Sequence, residues 1–444
     1  MKKIKQITKY IIIFVMLVFV LTLLLVIVAK IPREYVENNL KEATTYFREN
    51  NWEVTRTQRK REYTYLHPYA DEIILNIIYC LDTEKPLKSV LEAKYYTKFQ
   101  NDGSNEKYIE LIENDLQANT EYLRYWHGSI LIIKPLLAIL TLEQIYILNA
   151  ITISILAGIL IILLIKRKYY PIAISIILGL IMVAIWYVPF CFEYVWTFIL
   201  MLITSILSVK IETNRTKNKN EKLYILYFIT GVLTCFFDFL TTEIITILVP
   251  VAIVLSIRIK EKRFESLKKE LIFLIKSISL WLIAYSFMWF AKWIIASIVL
   301  KVNAMDFVKD KAMIRINGEV MGLPLWETML MAIKENLLTI YPINIIKRKK
   351  WILLSIFVAL IVSLVLIIDR KNKEKMKYMT LMLIIGIIPY LRYITLSNHS
   401  FRHSFFTFRS QLPTIMCIVL IFANCIDKKK LLSKIKIGKD KNGK

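Results

Sequence analysis

The stretch IIIFVMLVFVLTLLLVIVA, Ile11 to Ala29, contains no charged residue, no Gly and no Pro. A bilayer's hydrocarbon core is about 30 Å thick and accommodates roughly 20 apolar residues as a helix, so this run is read as a spanning helix. It follows MKKIKQITK, a charged start like that of a secretory signal, but the apolar part of a signal is only about 7 to 15 residues long. An uncleaved membrane anchor is therefore expected. Further apolar runs cover Ile145 to Ile165, Tyr170 to Val188, Tyr194 to Val209, Leu223 to Phe239, Ile244 to Ile257, Leu271 to Leu300, Trp351 to Ile368, Tyr378 to Ile394 and Leu412 to Ile426. Lipid offers no hydrogen bonds, and a helix satisfies its backbone groups internally. The pattern predicts an all-α, polytopic integral membrane protein with about ten transmembrane helices.

Composition agrees: 56% of the 444 residues are apolar and only ten are Gly, and the mean hydropathy is positive, which excludes an ordinary soluble domain. The formal charge of +25 does not point to nucleic acid, because the basic residues form short clusters between apolar runs rather than one soluble face. Such clusters set topology, since Lys and Arg in short loops are held in the cytoplasm during insertion. A cytoplasmic N-terminus puts KRK (166–168), IETNRTKNKNEK (211–222), RIKEKRFESLKKE (258–270), DRKNKEKMK (369–377) and the basic tail inside. Only the cluster Lys347 to Lys350 falls outside. The expected localisation is thus the cell membrane, multi-pass, with both termini cytoplasmic.

This divides the chain into an anchor helix (1–29), an extracytoplasmic helical loop (30–128), a membrane core (129–300), a second extracytoplasmic segment (301–350), C-terminal membrane helices (351–426) and a basic cytoplasmic tail (427–444). In the first loop, Ile73, Ile74, Ile77, Ile78 and Leu81 have helical spacing, as do Tyr108, Leu111, Ile112 and Leu116. The stretch Ile130 to Leu140 is too short to cross and holds Lys134 and Pro135, which suits an interfacial or re-entrant piece. The five cysteines show no metal-ligand spacing. No Walker loop, GxGxxG, GxSxG, CxxC or HExxH pattern is present, and no inverted half-repeat of the kind found in transporters is visible.

All four histidines, His67, His127, His399 and His403, fall on the extracytoplasmic side in this topology. Either His is simply excluded from spans, or both ends of the chain build one outward-facing polar site. In HPYADEIILN, Asp71 stands where it could cap a helix, with Glu72 favouring the helix dipole. Alternatively, Asp71 or Glu72 is a carboxylate base for an acceptor hydroxyl. Arg124, His127 and Lys134 precede the second span, and Arg402 and Arg409 join His399 and His403 in the last outer loop. Guanidinium groups hold phosphate oxygens bidentately, so these residues are candidate phosphate ligands. Further charges lie in apolar surroundings: Asp238, Glu243, Lys276, Lys292 and Arg392. Asp238 and Glu243 flank the tip of a tight hairpin, either facing a cavity or solvated at the interface, while Lys276 is expected to snorkel near the cytoplasmic end.

The order of parts resembles the GT-C superfamily of polyprenyl-phosphate-sugar-dependent membrane glycosyltransferases: a span, a large outer loop with an acidic motif (here Ala70-Asp71-Glu72), then an interfacial His/Pro segment before the second span. Mannosyltransferase-like members carry a His-Pro-Pro element there, whereas His127 and Pro135 are separated. The phrases RYWHG, FDFLTTE and NHSFRHSFFTFR are similar to those of polytopic membrane proteins of low-GC Gram-positive bacteria. The resemblance implies that the partners are membrane lipid, a polyprenyl-phosphate-linked sugar donor and a cell-envelope glycan or glycolipid acceptor, with Asp71 at the acidic catalytic position. Members differ in needing a divalent cation; this sequence does not require one. Three other readings remain open: a lipid or polyprenyl-glycan flippase, a glycan polymerase or ligase, and a non-catalytic membrane assembly protein.

Overall fold

The computed structural model describes residues 2–49, 69–98, 106–215, 217–317, 322–343, 350–365 and 367–427. His67, the basic cluster at 347–349 and the tail from 428 onward lie outside the described residues. Within them every regular element is a helix, apart from two isolated bridges, Tyr95 with Thr120 and Ile368 with Ile426. In chain order the first half comprises α1 (Lys2–Ala29), α2 (Glu34–Glu49), α3 (Tyr69–Tyr79), α4 (Pro86–Glu92), α5 (Glu106–Glu113), α6 (Ile130–Leu137), α7 (Leu142–Lys166) and α8 (Tyr170–Met182). A 3-10 turn at Ile185–Phe190 leads into α9 (Val195–Thr213), followed by α10 (Lys219–Phe237), α11 (Ile245–Lys260) and α12 (Leu267–Leu300). The last part holds α13 (Ala304–Asn317), α14 (Leu325–Thr339), α15 (Lys350–Val365), α16 (Lys373–Thr395), the short α17 (Ser397–Arg402) and α18 (Ser404–Thr407), and α19 (Leu412–Cys425).

Each of the ten apolar runs contains a helix, the run Tyr170 to Val188 breaking after Met182 into a 3-10 turn, and among the described residues six helical stretches are long and apolar enough to cross a membrane: α1, α7, α9, α12, α16 and the continuous stretch Ser404–Cys425. The surface they present requires lipid. Ile11, Ile12, Val15, Met16 and Phe19 of α1, Ile147, Ile151, Ile155 and Ile162 of α7, and Ile275, Phe287 and Ile294 of α12 are all exposed, whereas a water-soluble monomer rarely exposes more than a few hundred Å² of contiguous apolar surface.

The bundle is built around α11. Every residue from Ile245 to Arg258 is buried, as expected of a helix that is apolar all round and surrounded by others. It packs on α9, α19, α12 and α10. The pair α10 and α12 approaches closely because position 231 is Gly: a Cβ there would sit 2.3 Å from the Trp281 carbonyl oxygen. Helix α7 opens with a capping box, in which the Thr141 hydroxyl accepts from the Gln144 amide and the Gln144 side chain accepts from the Thr141 amide.

The described residues between α1 and α6 do not form a separate domain but share one core with the bundle. Helix α2 buries Val36, Leu40, Ala43 and Phe47 along one face. Tyr108 of α5 donates its hydroxyl to the Leu40 carbonyl at 2.8 Å. At 34 residues α12 is about 51 Å long, well beyond the bilayer core, and its C-terminal half holds this segment in place. The Trp126 indole donates to the Met288 carbonyl at 2.8 Å, and the Trp293 indole to the Arg124 carbonyl at 3.3 Å.

Three buried or half-buried lysines have their charge explained by the same physics. Lys134 donates to the Ala29 carbonyl at 3.1 Å, closing the end of α1. Lys292 donates to the Val90 and Leu91 carbonyls at 3.2 and 2.8 Å in the last turn of α4. Lys219 donates to the Glu212 carbonyl at 2.7 Å near the end of α9. The last turn of a helix leaves carbonyls without intrahelical partners and carries partial negative charge, so an ammonium is stabilised there. The interfacial piece containing Lys134 is thus the short helix α6, with its lysine engaged by α1.

Candidate functional site

Asp71 lies in the first turn of α3 and is fully buried. It does not cap that helix. Its Oδ2 accepts the Tyr146 hydroxyl of α7 at 2.6 Å, and its Oδ1 accepts the Phe192 amide at 2.7 Å, with the Cys191 thiol as a further partner. Among the described residues, a phenol and a backbone amide hold this carboxylate in place. Burial pushes the Asp71 carboxyl up to about 7, against the lowering by its three hydrogen-bond partners. Glu72, on the adjacent position of α3, is also buried and accepts the Tyr108 amide at 3.1 Å. It thereby ties α3 to α5.

The segment Cys191-Phe192-Glu193-Tyr194, between the 3-10 turn and α9, connects Asp71 to the stretch between α16 and α19. Cys191 bonds both Asp71 and the Tyr194 side chain. Across the Tyr194 ring, 4.4 Å from its centroid, lies the Arg409 guanidinium, which is fully buried. Arg409 also donates to the Phe405 carbonyl at 3.2 Å. Tyr194 further meets Phe406, on which the His403 ring is stacked at 5.2 Å.

A second junction forms at the hairpin tip between α10 and α11. Asp238 accepts the Leu240 and Thr241 amides and the Thr241 hydroxyl, at 2.7, 3.1 and 2.9 Å, and the Tyr285 hydroxyl at 3.1 Å. This local turn holds Leu240 at a positive φ of 65°. Glu243 pairs with Arg392 of α16 at 2.6 Å, and Arg392 also donates to the Leu240 and Thr241 carbonyls. Both acids are buried, so neither is solvated at the interface. His399 bonds the Leu240 carbonyl through Nε2 at 2.8 Å.

His127 approaches the same tip from the segment between α5 and α6, its ring 5.5 Å from that of Phe239. Its backbone is left-handed, with φ 53°, which re-aims the chain just before α6. Nε2 meets the Tyr122 carbonyl at 3.3 Å, and Nδ1 is buried with no hydrogen-bond partner among the described residues. Burial pushes the imidazole down to about 3, with the charges of Lys292 and Arg124 acting in the same direction. His127 is therefore neutral at physiological pH. Arg124 lies over the rings of Tyr122 and Tyr125, at 4.8 and 5.6 Å.

The two ends of the chain thus meet on adjacent tip residues, His127 against Phe239 and His399 against Leu240. Not all predicted phosphate ligands join them. Lys134 is engaged at the end of α1, and Arg402 is exposed. Among the described residues no three His, Cys, Asp or Glu side chains converge as metal ligands. Sequence reasoning passed over Tyr146, Cys191, Glu193 and Tyr194. One signal was available: Glu193 is an acid between two apolar runs, and such residues mark sites by default.

No family model, no curated protein and no solved structure matches this chain, so its function is argued from the geometry of the site itself.

Proposed function

We propose that this chain is a GT-C-like membrane glycosyltransferase that moves a sugar from a polyprenyl-phosphate-linked donor to an extracytoplasmic acceptor. The observation that carries the reading is Asp71: a buried carboxyl oriented by Tyr146 and Phe192 at the head of the bundle, with its pKa raised to about 7. A general base works best when its pKa lies near the working pH, because it is then both available and basic enough to remove a proton. Arg409 supplies a buried cation two side chains away, through Cys191 and Tyr194, suited to a donor phosphate. Transfer requires the side chains around Asp71 to part, so that an acceptor hydroxyl comes within about 2.6 to 3.2 Å.

The site test uses a deletion strain complemented with wild type, Asp71→Asn or Glu72→Gln at equal membrane abundance. Asp71→Asn is expected to lower the glycan or glycolipid product at least about 100-fold, the usual contribution of a general base. Full complementation by both variants would overturn the catalytic assignment. A second reading is favoured by the complete burial of Asp71 and its bonds to two other parts of the chain. It makes Asp71 a tertiary pin in a non-catalytic assembly protein, in which case product loss would follow protein stability and not the anion.

In this reading ten helices cross the membrane, with both termini in the cytoplasm. Helix α11 has 16 residues and is about 24 Å long, which suffices because other helices cover it. In a cysteine-free background, a cysteine replacing the exposed Arg402 should react with an impermeant thiol reagent in intact cells, and one replacing the exposed Asn218 should not. The opposite labelling would reverse the topology and move the site to the cytoplasmic side.

A further inference from the structure

At the end of the bundle that carries the N-terminus of α1, a cavity of about 740 Å³ opens between α1, α10 and α12. Four lysines line it, Lys5, Lys9, Lys219 and Lys276, against one acid, Glu221. Lys9 pairs with Glu221 at 3.3 Å, and Lys219 is engaged by the Glu212 carbonyl. The remaining two are different. Lys276 stands 4.4 Å over the Tyr224 ring, and among the described residues no carboxylate lies within ion-pair distance of Lys5 or Lys276. Four positive charges and one negative leave a lining of net +3.

The backbone adds to this field. Asn218 has a left-handed φ of 60° and makes no side-chain cap bond to α10. The first residues of that helix, Lys219, Asn220 and Glu221, line the cavity, so the positive end of the helix dipole faces it. Along α1 beyond the cavity, the helices are joined by aromatic contacts: Tyr10 of α1 packs on Phe228 of α10 at 4.9 Å, and Phe14 on Phe287 of α12 at 6.1 Å. Beside the opening, Ile4, Ile7, Ile272 and Ile275 are exposed.

We propose that this cavity binds the phosphate head group of an anionic membrane lipid. The lysines and helix terminus are complementary to a phosphate ester, while the exposed isoleucines on α1 and α12 give acyl chains an apolar path away from the head group. Free inorganic phosphate would meet the same cations but gain nothing from that path. Basic residues near a membrane surface each add to the affinity for anionic lipid, and together in a pocket between helices they localise one head group. The inference is independent of the reading of Asp71, which lies in the outer segment.

The test uses full-length protein in nanodiscs of phosphatidylcholine containing spin-labelled phosphatidylglycerol or spin-labelled phosphatidylcholine as the reporter. Wild type should retain the phosphatidylglycerol label preferentially, and added KCl should weaken that preference through screening. Lys5→Gln and Lys276→Gln should each lower it about fivefold, whereas Lys5→Arg and Lys276→Arg should keep it, which separates charge from folding. Equal retention of the two labels by wild type, or unchanged preference in the Lys5→Gln/Lys276→Gln protein, would overturn the site. Displacement of the phosphatidylglycerol label by millimolar inorganic phosphate, in excess of the effect of KCl at equal ionic strength, would overturn the lipid assignment in favour of the free ion.

Discussion

Arg392→Leu is expected to destabilise the protein by about 3 to 5 kcal/mol, the usual cost of removing one partner from a buried ion pair. The Arg392 side chain holds Glu243 through Nε at 2.6 Å and Nη2 at 3.2 Å. It also donates to the Leu240 and Thr241 carbonyls at 2.9 and 3.1 Å, and to the Ser400 hydroxyl at 3.3 Å. Removing the guanidinium strands a buried carboxylate and releases the tip on which His399 rests. The double variant Arg392→Leu/Glu243→Leu should recover part of the loss, since no charge is then left unpaired. It should not recover all of it, because the Leu240 and Thr241 carbonyls each lose one donor and keep only the His399 imidazole at 2.8 Å and the Ser410 hydroxyl at 3.5 Å, a loss of about 1 kcal/mol for each hydrogen bond removed. Thermal unfolding in detergent measures both variants. A double variant less stable than Arg392→Leu would show that the pair's stranded charge is not the dominant cost.

The second large effect is a pair of opposing pH dependences. Asp71 has a folded pKa of about 7 against an unfolded value of about 3.9, so the native state holds its proton more tightly. Its contribution is present below about pH 4 and is lost as pH rises towards 7, amounting to about 4 kcal/mol over three units. His127 runs the other way. Its folded pKa is about 3 against about 6.5 unfolded, so its contribution is present above about pH 6.5 and is lost as pH falls towards 3, by about 5 kcal/mol. Between pH 4 and 6.5 the two slopes offset one another.

Single variants unmask each slope. Relative to wild type, Asp71→Asn should become steadily less stable as pH falls from 7 to 4, while His127→Gln should become less stable as pH rises from 4 towards 6.5. Near pH 8, Asp71→Asn should be no less stable than wild type. An amide oxygen can still accept the Phe192 amide, its NH2 can donate to the Tyr146 oxygen, and the cost of burying an ionised group is gone. That outcome separates the two readings of Asp71. A stabilised but inactive Asp71→Asn protein fits a catalytic anion maintained against stability, whereas a destabilised one fits a tertiary pin. Chemical denaturation of wild type and variants across pH 4 to 8 provides the measurement, and parallel profiles for all three proteins would remove both assignments.

Much of the site was hidden from a linear reading for a definable reason. The run of apolar residues at 245–257 announces a helix, and the charges at 238 and 243 announce something that needs a partner. Neither announces Arg392, 149 residues from Glu243. The cap reading of Asp71 was equally reasonable in one dimension, because an Asp ahead of an apolar helical pattern usually does cap. Its actual partners are 75 and 121 residues away. The lysine at 134 looked like a ligand because an unexplained cation in an apolar stretch usually is one; the carbonyl that engages it belongs to Ala29, 105 residues earlier.

What the sequence by itself determined is whatever depends on local period and length. The uncharged run Ile11 to Ala29, the nine later apolar runs (the one from Tyr170 only as far as Met182) and the helical spacing of Ile73, Ile74, Ile77 and Ile78 all gave helices, because hydrophobicity and backbone self-satisfaction act within a segment. The tertiary structure decided which helices are surrounded and which face outward. It buried all of Ile245 to Arg258 while exposing the Ile11, Val15 and Phe19 face of α1, although both segments read as equally apolar. It also decided which charges meet. Pairings such as Asp71 with Tyr146, Arg409 with Tyr194 and Arg392 with Glu243 are selected by the free energy of leaving a buried charge unpartnered, and that free energy exists only once distant segments have packed together.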